Sequence, residues 1–273
     1  MQVVDHLSQV RRLELGSIAF VPTMGALHQG HAALIHRGQE LSKSVLVSIF
    51  VNPLQFDDPA DLAKYPRTPE LDIKTAEESG ADVLWLPEYG EIYPGPIAQL
   101  NAGHVGALYE GAMRKGHFEG MLTVVKRLFD LVAPQWALFG EKDFQQLFLI
   151  RQMVQEFALD IEIVQVPTVR DSDGLAVSSR NVRLNPQDRQ VALVISRALI
   201  NASRMESLEM MQQQLDQTLA SELGFTCEYA VIIDEKDFSL ATQKTVTPMR
   251  ALIAGWVNGV RLIDNMPMTG GTR

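Results

Sequence analysis

The sequence predicts an α/β protein: residues 1–169 form a doubly wound, Rossmann-like parallel sheet, and residues 170–273 form a smaller α+β lid domain. Three observations carry this reading. Short runs rich in β-branched residues alternate with helix-length segments through the first 170 residues. Those runs are too continuously apolar to have a wet face, which is the mark of parallel strands covered on both sides. After "VRDSDGLAVSSRN" (169–181) the alternation gives way to a long helical region and then to hairpin-forming strands. A doubly wound sheet holds its ligands outside the carboxyl ends of its strands.

The elements follow in order. "SIAFVP" (17–22) is the first strand, and a helix runs from near His31 to Leu41. "VLVSIFV" (45–51) is the second strand, followed by a helix from Pro69 to Ser79 and a third strand in "VLWLP" (83–87). A helix from Phe118 to Val132 leads to "WALFG" (136–140), and one from Phe144 to Ala158 leads to "IEIVQVP" (161–167). The second domain opens through the Asp-Ser-Asp-Gly turn and continues as one polar helical region, Pro186 to Leu223, rich in Gln, Met and Glu. Strands follow in "CEYAVIID" (227–234) and "RALIAGWVNGVRLIDN" (250–265). Within the latter, Asn258-Gly259 between alternating apolar runs signals a hairpin, because both residues tolerate positive φ. The Gly-Gly-Thr-Arg end is expected to fray.

Composition narrows the function. At 273 residues and 46% apolar, the chain can bury one large core or two modest ones. A formal charge of −9 argues against a general nucleic-acid binder, while a small anionic ligand needs only a few local cations. Cys227 is the single cysteine, so neither an internal disulfide framework nor a cysteine-rich metal site is expected, in keeping with a cytoplasmic protein. No apolar run reaches 18 residues and "MQVVDHLSQVRRLELG" mixes its charges, so the chain reads as soluble and unexported, with no membrane partner.

Four stretches hold the residues suited to chemistry. In "FVPTMGALHQGHAALIHRG" (20–38), Gly25 and Gly30 permit tight turns, and a helix start offers free N–H groups to an anion. His28 and His31 would donate to phosphate oxygens, and bulk at position 30 would block a nucleotide. Without a third ligand, this spacing fits phosphate better than zinc. The alternative, that both histidines simply cap the helix, stays open. In "SIFVNPLQFDD" (48–58), Gln55 offers an uncharged amide suited to a hydroxyl or carboxylate, or else belongs to an ordinary Asn-Pro turn. In "LFGEKDFQQLFLIRQ" (138–152), Lys142 suits a phosphate, Asp143 a helix cap or a ribose hydroxyl, and Gln146 the pocket side, although Glu-Lys-Asp is also a plain solvated helix start. In "DGLAVSSRN" (173–181), Ser178, Ser179 and Arg180 would form a mobile phosphate clamp. The first three follow predicted strands and the fourth lies at the domain junction. Taken together, they outweigh the ordinary reading of each alone.

"VPTMGALHQGH", "SIFVNPLQF", "YPRTPELD" (65–72), "GHFEGMLTVV" (116–125), "FGEKDFQQL" and "DGLAVSSRN" resemble, in order and over nearly the whole chain, the signatures of the pantothenate synthetase (pantoate:β-alanine ligase) family. The H-x-G-H element also resembles the wider adenylyl-transferring superfamily that includes class I aminoacyl-tRNA synthetases. The resemblance implies ATP-dependent condensation of pantoate with β-alanine through a pantoyl adenylate, releasing AMP and pyrophosphate, in coenzyme A biosynthesis. It implies that Met24, Gly25, Ala26, Leu27, His28, Gln29, Gly30 and His31 line the ATP site, with His31 as proton donor. Gly140, Glu141, Lys142, Asp143, Val169, Val177, Ser178, Ser179 and Arg180 would contact ATP, and Gln55 and Gln146 would hold pantoate, Gln55 also lying near β-alanine. Catalysis would rest on His28, His31, Lys142 and Arg180, with Mg²⁺ bridging the phosphates, in a homodimer. Gln29 and Lys115 stand where the family usually has Glu and often has Pro.

Some points stay open on these residues. His31 would either transfer a proton or only donate a hydrogen bond. Arg114 and His117 would form a flexible wall or a plain connection between helices, and Asp72 is a candidate for the Mg²⁺ shell. Two rivals, an adenylyltransferase acting on a phosphate monoester and a nucleotide-sensing module without turnover, share the H-x-G-H loop. A tRNA-charging role fits worst, since the chain is acidic and has no evident anticodon-binding extension.

Overall fold

The five apolar runs of the first unit become strands of one six-stranded sheet, because such runs need cover on both sides. The computed structural model describes residues 1–57, 59–243 and 245–268, without the side chain of Asp61; the Gly-Gly-Thr-Arg end lies outside the described residues. The chain divides into two units, Met1–Pro167 and a second beginning at Thr168.

In the first unit the elements are β1 (Gln2–Val4), α1 (Leu7–Arg12), β2 (Ala19–Thr23), α2 (Gln29–Leu41), β3 (Val45–Ile49), α3 (Pro59–Lys64), α4 (Pro69–Glu78), β4 (Val83–Trp85), α5 (Tyr89–Ile92), α6 (Tyr109–Met113), α7 (His117–Val132), β5 (Trp136–Gly140), α8 (Phe144–Glu156) and β6 (Glu162–Val166). The sheet order is β1-β4-β3-β2-β5-β6, with every pairing parallel. This is the doubly wound arrangement. Ala19, Phe20 and Val21 of β2, Val45, Leu46 and Val47 of β3 and Leu138 of β5 are wholly buried, as two-sided coverage requires. The helices bury stripes at helical spacing; in α7 these are Phe118, Met121, Leu122, Val125, Leu128, Phe129 and Val132.

From β2 the chain winds through α2 to β3 on one side, and from β5 through α8 to β6 on the other, so the winding reverses between β2 and β5. Register marks the same place. β2 pairs with β3 at five positions, from Ala19↔Val45 to Thr23↔Ile49, but with β5 only at Ala19↔Trp136 and Phe20↔Ala137. Past Phe20 and Ala137 the two strands part, which opens the crevice where such folds bind ligands.

β1 was not expected: its three residues, two of them exposed, are too few to show a pattern, and it forms only because β4 offers an edge.

The second unit holds α9 (Pro186–Ser203), α10 (Leu208–Ala220) and an antiparallel sheet of β7 (Thr226–Asp234), β8 (Met249–Val257) and β9 (Val260–Met268). The expected single helical region is two helices. Asn185 caps α9 by accepting from Asp188 N at 2.8 Å, and Ser207 starts α10 by accepting from Met210 N at 3.3 Å. Their polar composition hides an apolar face, with Ile195, Ala198, Leu199 and Ala202 of α9 and Met211, Leu215 and Leu219 of α10 buried in one cluster with residues of the sheet.

Residues 169–177 form a small hairpin, with Val177 N bonded to Val169 O at 2.9 Å, Asp171 N to Leu175 O at 2.9 Å, and Gly174 at φ +94°. Arg189 holds the turn through Asp171 at 2.7 Å and Asp173 at 2.7 and 3.0 Å. Arg170 pairs with Asp264 of β9 through two bonds, 2.6 and 3.0 Å. Asn258 and Gly259 take φ of 44° and 75° between the paired Val257 and Val260, the two-residue turn expected from the sequence. Gly259→Val should therefore lower stability by about 1–2 kcal/mol, the cost of a left-handed conformation for a residue with a Cβ, read as a shift in the urea midpoint. An unchanged midpoint would contradict the strain.

Candidate active site

The chain leaving β2 must turn sharply before α2. Thr23 Oγ1 donates to Ser48 O at 2.8 Å and accepts from Gly25 N at 3.2 Å. Gly25 and Ala26 then take successive positive φ of 82° and 51°. This points the N–H groups of Ala26 and Leu27 at one acceptor, Asp72, at 3.0 and 2.7 Å. A Cβ on Gly25 would lie 2.9 Å from Asp72 Oδ2, a second reason for glycine there.

Both histidines cap α2. His28 Nδ1 accepts from Gly30 N at 3.1 Å, His31 Nδ1 accepts from His28 N at 3.2 Å, and the ring centroids are 4.1 Å apart. An Nδ1 that accepts from a backbone N–H is unprotonated, so each neutral ring carries its proton on Nε2. Burial, with His28 second, lowers the His31 pKa from 6.5 to about 3. His31 is thus a neutral donor at ordinary pH.

This narrows the expectation of free N–H groups at the helix start to that of Gln29, the first residue of α2, which has no partner among the described residues. The N–H groups of Gly25, Ala26, Leu27, His28, Gly30 and His31 are all bonded within the loop or to Asp72. Carboxylate and imidazole acceptors take up the other donors of the loop, and the imidazoles add their own Nε2 donors to it. Gly30 also has a nearer reason than access for a nucleotide: a Cβ there would lie 2.8 Å from His28 Cε1. Both oxygens of Asp72, the candidate for the Mg²⁺ shell, are engaged by the loop.

After β3, Asn52 is wholly buried and its amide is fully used. Oδ1 accepts from Leu54 N at 3.3 Å and Tyr93 Oη at 3.0 Å, while Nδ2 donates to Gln55 Oε1 at 3.1 Å and Gly120 O at 3.0 Å. The Asn-Pro turn is therefore a scaffold rather than a solvated bend. With its oxygen held by Asn52, Gln55 has its amide N–H groups to offer, and among the described residues they have no partner.

Below Gln55, its backbone oxygen accepts from His117 Nδ1 at 2.9 Å, and Arg114 Nη1 donates to His117 Nε2 at 2.9 Å. His117 is therefore the opposite tautomer to His31. Burial, then the Arg114 charge, lowers its pKa to about 4. Buried beneath Gln55, His117 is no part of a flexible wall. A Cβ on Gly120 would lie 2.1 Å from Leu54 O, so the "GHFEG" stretch is where α7 meets this turn.

After β5, Glu141–Asp143 form a 3-10 turn. Glu141 accepts from Gln165 at 2.6 Å, and Lys142 Nζ lies 3.9 Å from Asp143 Oδ2. Asp143 occupies the cap position of α8 but makes no capping bond, contrary to one reading of its role. Of the two glutamines, Gln145 is buried in structure, bonding Glu110 N, Val105 O and Leu108 O at 3.1, 2.8 and 2.9 Å. Gln146 is half-buried, with no side-chain partner among the described residues. A Cβ on Gly140 would meet open space.

The sheet order sets the loops after β3, β2 and β5 side by side; those loops carry His28, Gln55, Gly140 and Lys142, with His31 and Gln146 in the first turns of the helices that follow. Met24 and Gln29 belong to the same loop, whereas the Leu27 side chain is in the core. In the second unit, Val169 and Val177 face across the small hairpin, Ser178 Oγ accepts from Arg180 N at 3.3 Å, and Ser179 and Arg180 open the 3-10 turn Ser179–Arg183. The Arg180 guanidinium has no partner among the described residues. Asn52, Asp72 and Gln145 were missed as structural determinants, and only the side-chain bonds reveal them. Among the described residues no group of three or more His, Cys, Asp or Glu side chains is placed to hold a metal ion.

The family described as Pantoate-beta-alanine ligase matches residues 1–267. A pantothenate synthetase of Nocardioides sp. (strain ATCC BAA-499 / JS614) is 45% identical over 267 residues, covering 94% of this chain and 80% of that protein. One of Bdellovibrio bacteriovorus is 42% identical over 258 residues, covering 94% of each. The crystal structure of pantothenate synthetase from Thermus thermophilus superposes with a TM-score of 0.91 at 41% identity, over 97% of this chain and 99% of that one. That of pantoate-beta-alanine ligase from Francisella tularensis, complexed with Beta-gamma ATP and beta-alanine, gives 0.79 at 34% identity, over 97% of each.

The two neutral histidines set an acid limit on stability. Their folded pKa values, about 3 and about 4, lie below the unfolded 6.5, so the unfolded chain binds protons first as pH falls. Their contribution is complete above pH 6.5 and is lost below it at about 1.4 kcal/mol per pH unit for each ring. His117→Asn should make the fall in urea midpoint between pH 7 and pH 5 shallower than in wild type. Identical slopes would refute the neutral buried ring.

Proposed function

The chain belongs to the pantoate-beta-alanine ligase family and is an ATP-dependent ligase forming pantothenate from pantoate and β-alanine; we propose that the loops after β2, β3 and β5, together with Arg180, carry the reaction. The observation that carries this assignment is that three of the four candidate stretches follow adjacent strands, two of them flanking the point where β2 and β5 part. The Francisella relative was solved with a form of ATP and β-alanine, which supports the same substrates here.

A carboxylate is a poor electrophile without a leaving group, so pantoate must first be activated. Its carboxylate attacks the α-phosphorus of ATP and pyrophosphate leaves. The amine of β-alanine then attacks the acyl adenylate, forming the amide and expelling AMP. What the protein supplies is position and charge stabilisation. In this proposal Met24–His31, Gly140–Asp143, Val169 and Val177–Arg180 contact ATP, with Leu27 contributing main chain only. Gln55 and Gln146 hold pantoate; the fixed amide of Gln55 donates to a carboxylate or hydroxyl oxygen without neutralising it. Lys142 and Arg180 provide permanent positive charge for the phosphates.

His31 acts in this reading by donating a hydrogen bond from Nε2. A ring with a pKa of about 3 is not protonated at neutral pH and has no extra proton to transfer. Mg²⁺ enters with ATP as part of the substrate, as suits an ion that keeps its waters and binds phosphates more readily than protein cages; when bound, it neutralises the departing pyrophosphate. The reading extends to a cytoplasmic homodimer, supported by the lone cysteine and the family resemblance. No helix among the described residues is long and apolar enough to cross a membrane. A sedimentation mass near one 30.4 kDa chain would remove the dimer.

His31→Ala and Lys142→Ala should each slow pantoate-dependent ATP–pyrophosphate exchange by on the order of 10²-fold to 10³-fold while the circular dichroism spectrum is kept. Wild-type exchange in either variant refutes its role. AMP release should require pantoate, β-alanine and MgATP together. Release without the amine at the full rate would favour the adenylyltransferase rival.

A further inference from the structure

The last residue of "YPRTPELD", Asp72, holds the turn that leads into α2. Asp72 is 2% exposed, and its carboxylate accepts from Ala26 N, Leu27 N and Thr68 Oγ1 at 3.0, 2.7 and 3.1 Å. No lysine or arginine pairs with it among the described residues. Its charge is met instead by main-chain dipoles: those of the left-handed turn and those of the first turn of α4, where Asp72 N bonds Thr68 O at 2.8 Å. We propose that Asp72 is a positioning residue for catalysis, fixing the Gly25–Leu27 turn and through it the orientation and tautomer of His31. The inference rests on the reading of His31 as a donor to the reacting phosphates.

The route is short and continuous. Asp72 grips Ala26 and Leu27, and the next residue is His28. His28 N donates to His31 Nδ1 at 3.2 Å, which leaves the ring proton on Nε2. If the turn relaxes, His28 N moves, His31 Nδ1 loses its donor, and the proton is free to sit on either nitrogen. Only one of those tautomers presents an N–H at Nε2. Among the described residues the Asp72 carboxylate bonds Ala26, Leu27 and Thr68 and neither ring, so its effect is transmitted through the loop. Asp72→Asn is the sharpest change: the volume is kept, but one of the two main-chain N–H groups must then face an NH₂ group.

The test uses the full chain with ¹⁵N-labelled histidine rings, comparing wild type, Asp72→Asn and Thr68→Val at pH 7. In wild type, His31 should show an unprotonated Nδ1 and a protonated Nε2, and His117 the reverse. In Asp72→Asn, His31 should lose its single tautomer while His117, fixed by Gln55 O and Arg114, keeps its own and reports an intact fold. Pantoate-dependent exchange should fall by on the order of 10²-fold in kcat, the effect of losing one preorganised donor, with KM for pantoate within about twofold of wild type. Thr68→Val removes only the third bond and should shift both readouts in the same direction by less; it decides the matter if Asp72→Asn also disturbs His117. An unchanged His31 tautomer in both variants overturns the positioning role whatever the rate. A lost tautomer with an unchanged rate shows instead that His31 is not the donor, and the proposal falls with that reading.

Discussion

A buried carboxylate needs donors, and a chain that reverses through two left-handed residues needs something to hold it there. Asp72 meets both needs at once. The turn after β2 aims two N–H groups at it, and the absence of a Cβ at Gly25 lets it come close. The rest of the site is built outward from this contact, because the turn determines where α2 starts, and the start of α2 is made of the two histidines. The same arrangement consumes most of the main-chain donors that helix starts usually offer to phosphates, leaving that of Gln29 among the described residues. The two imidazoles, each with Nδ1 held by the main chain, add their Nε2 donors to the hydrogen-bonding surface of this loop.

The loop after β3 follows the same logic with neutral groups. Asn52 is spent on Leu54, Tyr93, Gln55 and Gly120, and His117 with Arg114 supports Gln55 from below. Each of these groups is satisfied by the protein, so each serves to aim a neighbour. Gln55 is left with one kind of hydrogen-bonding capacity, donation, which suits an anionic or hydroxyl-bearing acid. Two histidines of opposite tautomer thus stand in one unit, each dictated by whether its Nδ1 meets a main-chain N–H or a main-chain carbonyl. Burial keeps both uncharged.

Much of the framework was legible in local composition. Runs such as "VLVSI" and "WALFG" could only be two-sided strands, and Asn258-Gly259 could hardly be anything but a hairpin turn. Legibility failed where a feature depends on a partner far along the chain. β1 needs the edge of β4, 79 or more positions away, to exist at all. The division of the helical region came down to Ser207, one capping serine in a segment of uniform polarity. Gln145 and Gln146 are indistinguishable by type, and only the packing of α8 puts one into structure and leaves the other half-buried.

By itself, then, the sequence determined the class of fold, the strands that end in candidate loops, and the residue types able to handle phosphate and carboxylate, because periodicity and side-chain chemistry are local properties. Tertiary structure alone decided that Asp72 takes the donors of Ala26 and Leu27, which tautomer His117 adopts, and that β2 and β5 part company after Phe20 and Ala137. Those outcomes depend on hydrogen-bond competition between groups tens of residues apart. Asp72 and Ala26 are 46 positions apart, His117 and Gln55 are 62, and no pattern within either stretch announces its partner.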